Sequence, residues 1–166
     1  MKLDVEGISQ RDWRWAWYRL GNSRSSIYWY GCYLTCLTML ARFKGATITV
    51  PQMNDLLRRN GGFSGDLVEP SGAVKTLSDL TSFKWKFERK DWEKVPASLD
   101  VIKELIDSKY PVIAKVDFNP STKNIEGHFV LINGYIVRTG KIVDLSAIDP
   151  WTGKEISLIA TYPYRS

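Results

Sequence analysis

The chain of 166 residues holds only two cysteines and one histidine. Two cysteines make no disulfide framework. A metal centre is equally poorly supplied. Four-coordinate sites take three or four protein ligands, and Cys32, Cys36 and His128 provide three at most, at a Cys spacing unlike a zinc knuckle. No apolar run approaches the length of a membrane span. The opening residues, MKLDVEGISQ, carry acidic side chains and no apolar core, so no signal peptide is expected. Internal repeats and low-complexity linkers are also lacking, so residues 1–166 read as one domain. A chain of this length buries a core without disulfide or metal staples.

Charge of one sign is in modest excess, at +5, but the basic residues are scattered and form no helical stripe. They read as solvated surface rather than as a nucleic-acid face. Aromatics are what the chain has in quantity: seven Trp, eight Tyr and six Phe. That number suits a groove or an interface as well as a core.

The first 19 residues read as an aromatic arm. Trp13, Trp15 and Trp17 alternate at period two, the pattern of an extended or strand-like edge packed on the domain. Residues 20–110 read as mainly helical. GCYLTCLTMLARFKG places Leu34, Leu37, Leu40 and Ala41 at helical spacing, with Arg42 and Lys44 in the last turn and Gly45 as cap. A second helix is expected after Thr49 or Val50, with Pro51 near its start and Asn60–Gly62 at its end. Phe63 and Asp66 then fall in a loop over the sheet. A third helix is expected over 71–80. A fourth is expected from Ser98, with Val101, Ile102, Leu105 and Ile106 on one face. From Pro111 onward the segments PVIAKVDF, HFVLINGYIV, KIVDLSAID and KEISLIATY are short, β-branched and separated by turn signals. Residues 111–166 therefore read as an antiparallel meander, and the whole as α+β.

The two thiols differ. Cys36 lies among leucines inside the helix and reads as a small buried hydrophobe. Thiols four apart on a helix rarely meet the geometry of a disulfide. Cys32 follows Gly31 and occupies the first turn, where unpaired N–H groups and the helix dipole favour an anion. A thiolate there is a nucleophile, and the same amides can hold an oxyanion; the plainer reading is a cysteine that merely starts a helix. A nucleophile needs a base, and His128 is the sole histidine, at the mouth of a strand.

The imidazole in turn needs an acceptor to orient it. Asn133 sits roughly 16 Å along the same strand and on its other face. A two-residue turn at Thr139–Gly140 would set Asp144 opposite Tyr135, far from His128. The same turn sets Asp149 opposite Val130, diagonal to His128 at roughly 7–8 Å between backbones. A bulge at Gly134 would shift this parity.

Taken together, YGCYLTCLTMLARFKG, ITVPQMNDLLRRNGGFSGD, GHFVLINGY and IDPWTGK resemble the C39-like group of papain-fold cysteine peptidases, in versions found in bacterial and bacteriophage proteins. The resemblance covers about Leu20 to Lys154. It implies a nucleophile at Cys32, a base at His128, an orienting carboxylate at Asp149 and no cofactor. It also implies a helical half and a sheet on either side of a cleft, and a peptide or peptidoglycan-type substrate. With no signal peptide expected, the localisation is left open between cytoplasmic at synthesis and virion-associated. One departure stands out. Members commonly carry a glutamine six residues before the cysteine, as an oxyanion donor, and here that residue is Ser26. Asn22 is a second candidate donor. Losing such a donor can cost on the order of a hundredfold in rate. A weak or inactive module of the same fold, binding peptide or cell-wall polymer, is therefore the alternative. Trp151 is placed to shield the aspartate from water, and Asn119–Gly127 to form a cleft rim.

Overall fold

The computed structural model describes residues 1–83, 85, 97–123 and 126–163. Part of the 119–127 rim thus lies outside the described residues. A single turn of helix, α1 (Ile27–Tyr30), leads into α2 (Cys32–Phe43). Every residue of α2 from Leu34 to Ala41 is buried. A helix enclosed on all sides belongs in the interior, and α2 is the hub of this core. Its two threonines are tolerated there because Thr35 and Thr38 donate back to the carbonyls of Gly31 and Leu34. At its end Gly45 N–H bonds Arg42 O and Ala46 N–H bonds Ala41 O, with Gly45 at φ +99. This paired closure is the expected glycine cap.

Helix α3 (Val50–Arg59) opens with a capping box, in which Thr49 Oγ1 accepts from Gln52 N–H and the Gln52 side chain accepts from Thr49 N–H. A two-stranded hairpin follows, β1 (Phe63–Ser64) with β2 (Leu67–Val68). The loop expected here is therefore a hairpin. It lies beside the Gly21–Ser25 segment, to which Asp66 is tied by a 2.8 Å bond from Ser25 Oγ. Helix α4 (Pro70–Leu80) and helix α5 (Leu99–Asp107) complete the helical part. Ser98 caps α5 as expected, but its buried stripe is narrower than the pattern implied. Ile102 and Ile106 are buried, whereas Val101 and Leu105 stay 37% and 39% exposed. α5 lies against β3 and β4 with only one edge turned inward.

Four strands form the sheet: β3 (Val112–Asp117), β4 (Gly127–Arg138), β5 (Lys141–Asp149) and β6 (Lys154–Ser157). They pair in chain order, all antiparallel, and α2 packs on β4. This is the α+β meander read from the sequence. Thr139 and Gly140, at φ 49 and 74, make the two-residue turn between β4 and β5. KEISLIATY does not continue as one strand. Ser157 accepts from Ala160 N–H and starts a short helix, α6 (Leu158–Thr161). No helix among the described residues is long and apolar enough to cross a membrane.

The arm departs from expectation. Residues 1–3 are extended along β4, with Leu3 N–H on Asn133 O and Tyr135 N–H on Met1 O. The tryptophan run is not strand-like. Asp12 O accepts from Trp15 and Ala16 N–H, and Asp12 Oδ1 accepts from Arg14 N–H, so the chain coils into turns. A side chain that satisfies its own backbone competes with extended structure. Trp13 and Trp17 consequently share an outward side, 84% and 67% exposed.

The capping box gives a direct check on the helical half. Thr49→Ala should cost about 1 kcal/mol of stability. Denaturant unfolding should show it as a lower midpoint at unchanged slope.

Candidate active site

Gly31 is the N-cap of α2, at an ordinary φ of −85. A sharp turn is not what requires this glycine. A Cβ there would come within 2.5 Å of Ile27 O, so close packing of α1 on α2 demands the missing side chain. Cys32 is the first residue of α2 and is partly exposed, while Cys36, one turn deeper, is fully buried. Burial, together with the charges at Cys32 and Asp149, pushes the Cys36 thiol well up. Cys36 thus behaves as the packed hydrophobe its setting suggested.

His128 and Asp149 reach each other because the β4–β5 register slips twice and recovers. Beyond the turn, Val137 pairs with Ile142, but Ile136 pairs with Asp144, which leaves Val143 as an extra residue in β5. Asn133 is then an extra residue in β4, between the Ile132–Ala147 and Gly134–Ser146 pairs. One bulge offsets the other. Leu131 faces Ile148, the register that an unbroken ladder from the turn would have given. Asp144 is the residue displaced. It faces Ile136 rather than Tyr135, and its Oδ1 serves the N–H groups of Leu145 and Ile159. Asn133 is buried at its bulge, bonded to Leu3 O and Glu155, away from the histidine.

His128 Nε2 lies 2.8 Å from Asp149 Oδ1, with both side chains at most 7% exposed. That contact occupies Nε2 and leaves Nδ1 as the other ring nitrogen. Burial pulls the imidazole down. Hydrogen bonding to Asp149 and to Cys32, with the negative charge at both, more than reverses this and raises it to about 9. His128 and Asp149 are therefore brought together from two strands, and the helix start that carries Cys32 acts on the same imidazole. Burial likewise pushes the Asp149 carboxyl up, but hydrogen bonds from His128, Tyr162 and Trp151 N–H outweigh it and hold the group below its ordinary value.

The other expected residues are placed less uniformly. Trp151 donates its N–H to Asp149 Oδ1 at 2.9 Å, and its ring packs on Phe118, 5.4 Å between centroids. Phe118 in turn meets the His128 ring edge-on at 4.9 Å. Ser26 is the N-cap of α1, and its Oγ is buried without a hydrogen-bond partner. Asn22 is exposed in the loop, with its backbone N–H on Gly65 O. Among the described residues, no group of three or more His, Cys, Asp or Glu side chains is gathered as a metal would require.

Residues 2–165 match a family model described as the Peptidase_C39 like family. The chain belongs to that family. Its membership covers nearly every residue and points to a hydrolase of the cysteine-peptidase kind. Comparison with curated proteins returns no match, and comparison with solved structures returns none.

Sequence reading missed two residues of this family member's site. Tyr162 donates its hydroxyl to Asp149 Oδ2 at 2.6 Å. Burial and then the carboxylate push this phenol strongly up, so it stays a donor. No local pattern announces it, since the contact depends on α6 turning the chain back. Gln10 is 1% exposed, donates Nε2 to Tyr28 O at 2.9 Å and places its backbone N–H on Pro150 O. An uncharged polar residue within an arm gives no sign that it will be buried beside the Asp-Pro turn.

These shifts set the pH dependence of stability. The His128 contribution is complete below its ordinary 6.5 and is lost as pH rises through about 9. The Asp149 contribution is complete above its ordinary 3.8 and is lost as pH falls through its lower folded value. Thermal midpoints should therefore decline from pH 6.5 to 9, and His128→Gln should flatten that decline. Tyr162→Phe should move the acid-side loss to higher pH, because it removes a bond that favours the carboxylate.

Proposed function

We propose that the protein is a papain-like cysteine peptidase that hydrolyses amide bonds with Cys32, His128 and Asp149. The observation that supports this reading is the buried 2.8 Å pair between His128 Nε2 and Asp149, in a chain whose partly exposed cysteine starts a helix and acts on the same imidazole. His128 takes the Cys32 proton through Nδ1, and the sulfur attacks the carbonyl carbon. The imidazolium then gives its proton to the departing amine, leaving a thioester. Water, deprotonated by the same imidazole, releases the acid and restores the thiol. Asp149 stays ionised throughout and holds Nε2–H in place. Phe118 and Trp151 cover the pair and keep its electrostatic interactions strong.

The oxyanion forms beside the Cys32 backbone N–H. Ser26 stands where relatives commonly carry glutamine, and its buried unpartnered Oγ supports it as the second donor. Gln10 competes for the role. It is tied to the carbonyl four residues before Cys32, and its amide nitrogen keeps one hydrogen beyond the bond to Tyr28. Asn22, exposed in its loop, is the weaker candidate. A binding module that no longer cleaves is the second reading, and the short serine at residue 26 is what favours it.

Digestion of a peptide library and of purified cell wall, read by mass spectrometry, separates the two. Cys32→Ala should abolish cleavage, by roughly 1,000-fold or more. Equal products from the wild type and this variant would exclude the thiol mechanism. Activity should fall as pH rises through about 9, where the imidazolium is lost. Of Ser26→Ala and Gln10→Ala, the one that loses roughly 100-fold or more in kcat identifies the residue that supplies the second donor.

A further inference from the structure

We propose that an aromatic ridge leading away from His128 binds the leaving-group side of the substrate. It selects polypeptides with a bulky apolar side chain and a nearby carboxylate after the scissile bond. The inference rests on the peptidase reading and names the substrate class of that same site.

The ridge is continuous. From His128 it passes to Phe118 at 4.9 Å and to Trp151 at 5.4 Å. Trp151 meets Tyr28 at 5.7 Å and Trp29 at 5.9 Å. Tyr28 and Trp17 stack in parallel, 4.9 Å apart and 5° from coplanar. The far end is open to solvent, with Trp29 59% and Trp17 67% exposed. Isolated exposed aromatics need no explanation, but a joined row of them beside a nucleophile is a contact surface. Tyr28 covers one indole face of Trp17 and holds the ring still, so little rotamer freedom remains to be lost on binding.

The side of the bond follows from the chemistry. The imidazole protonates the departing amine, so surface continuous with that ring lies under the departing half of the substrate. The partner's chemistry follows from the side chains. Exposed indole and phenol rings accept apolar side chains and sugar faces alike, so the discriminating feature is the charge on the ridge. Its one charged member is Arg11, whose guanidinium lies 4.4 Å over the Trp151 ring and whose Nε donates to Trp151 O. Among the described residues no carboxylate forms an ion pair with Arg11. A planar cation held on an aromatic face, with its outer nitrogens uncommitted, suits a carboxylate. It sits at the inner end of the ridge, so the acidic residue falls nearer the cut than the group on Trp17.

The test is a digest of a random-sequence peptide library, with the new N-termini sequenced by mass spectrometry. Wild-type protein should enrich Phe, Tyr, Trp or Leu, and an adjacent Asp or Glu, within the first few residues after the cut. Trp17→Ala and Trp29→Ala should reduce the apolar preference about 10-fold. Arg11→Gln should remove the acidic preference. Thermal melts would show each variant folded. New N-termini without these preferences, or preferences unchanged in the variants, would overturn the proposal. So would cleavage confined to glycan-linked peptides. If no library peptide is cut, the peptidase reading fails separately, and the surface is tested by binding to Cys32→Ala. A fluorescein-labelled heptapeptide centred on Asp-Phe should then bind about 10-fold tighter than its Asn-Gly counterpart, with Trp17→Ala erasing the difference. Equal affinities would overturn the ridge as well.

Discussion

A histidine and an aspartate, both out of water and 2.8 Å apart, are the contact on which the rest of the site depends. Removing two charges from solvent is costly, and their attraction compensates only when the remaining lone pairs are also satisfied. Here they are. Asp149 Oδ1 receives His128 and Trp151 N–H, and Oδ2 receives Tyr162. Each donor arrives from a different part of the chain. The carboxylate therefore joins strand β4, the turn after β5 and the segment after α6 into one unit.

Register is the geometric side of the same constraint. A strand alternates its faces at every residue, so a single uncompensated bulge would turn Asp149 away from His128. The extra residue at Val143 is offset by the one at Asn133 before the ladder reaches the site. The arm is bound into this correction. Asn133, freed from β5 by its bulge, hydrogen-bonds Leu3 through both backbone and side chain. An irregularity in the sheet is thus also the docking point of the N-terminal residues, and the arm they begin carries Gln10, Arg11 and Trp17 onto Tyr28 and Trp151.

The two cysteines show how depth separates chemistry from packing. They are one helical turn apart. Cys36 is enclosed among α2 and β4 side chains, while Cys32 stands partly open where the chain leaves α1. Asp149 and Cys32 together hold the proton on the His128 imidazole against the pull of burial. Alkaline stability therefore depends on that proton.

Much was legible locally. The α2 and α3 caps, the Thr139–Gly140 turn and the α-then-β order all follow from residues within a few positions of each other, because capping and turn chemistry act at short range. The diagonal from His128 to Asp149 could be drawn from turn length and strand period, and it held because two bulges cancelled. What local patterns misjudged has a common cause. The tryptophan run looked extended until Asp12 folded it into turns, KEISLIATY looked like one strand until Ser157 capped a helix, and α5 looked broader-faced than the space offered to it. Tyr162 and Gln10 had no local signature at all, and nothing local joined Trp17 and Trp151 into one ridge. The linear chain by itself determined which residues could do the chemistry and which segments would be helix or strand, since these depend on side-chain type and near-neighbour backbone bonds. Only the tertiary structure decided which donors surround the carboxylate, which thiol is open and which aromatics join into a surface, because those depend on distances between residues the chain separates.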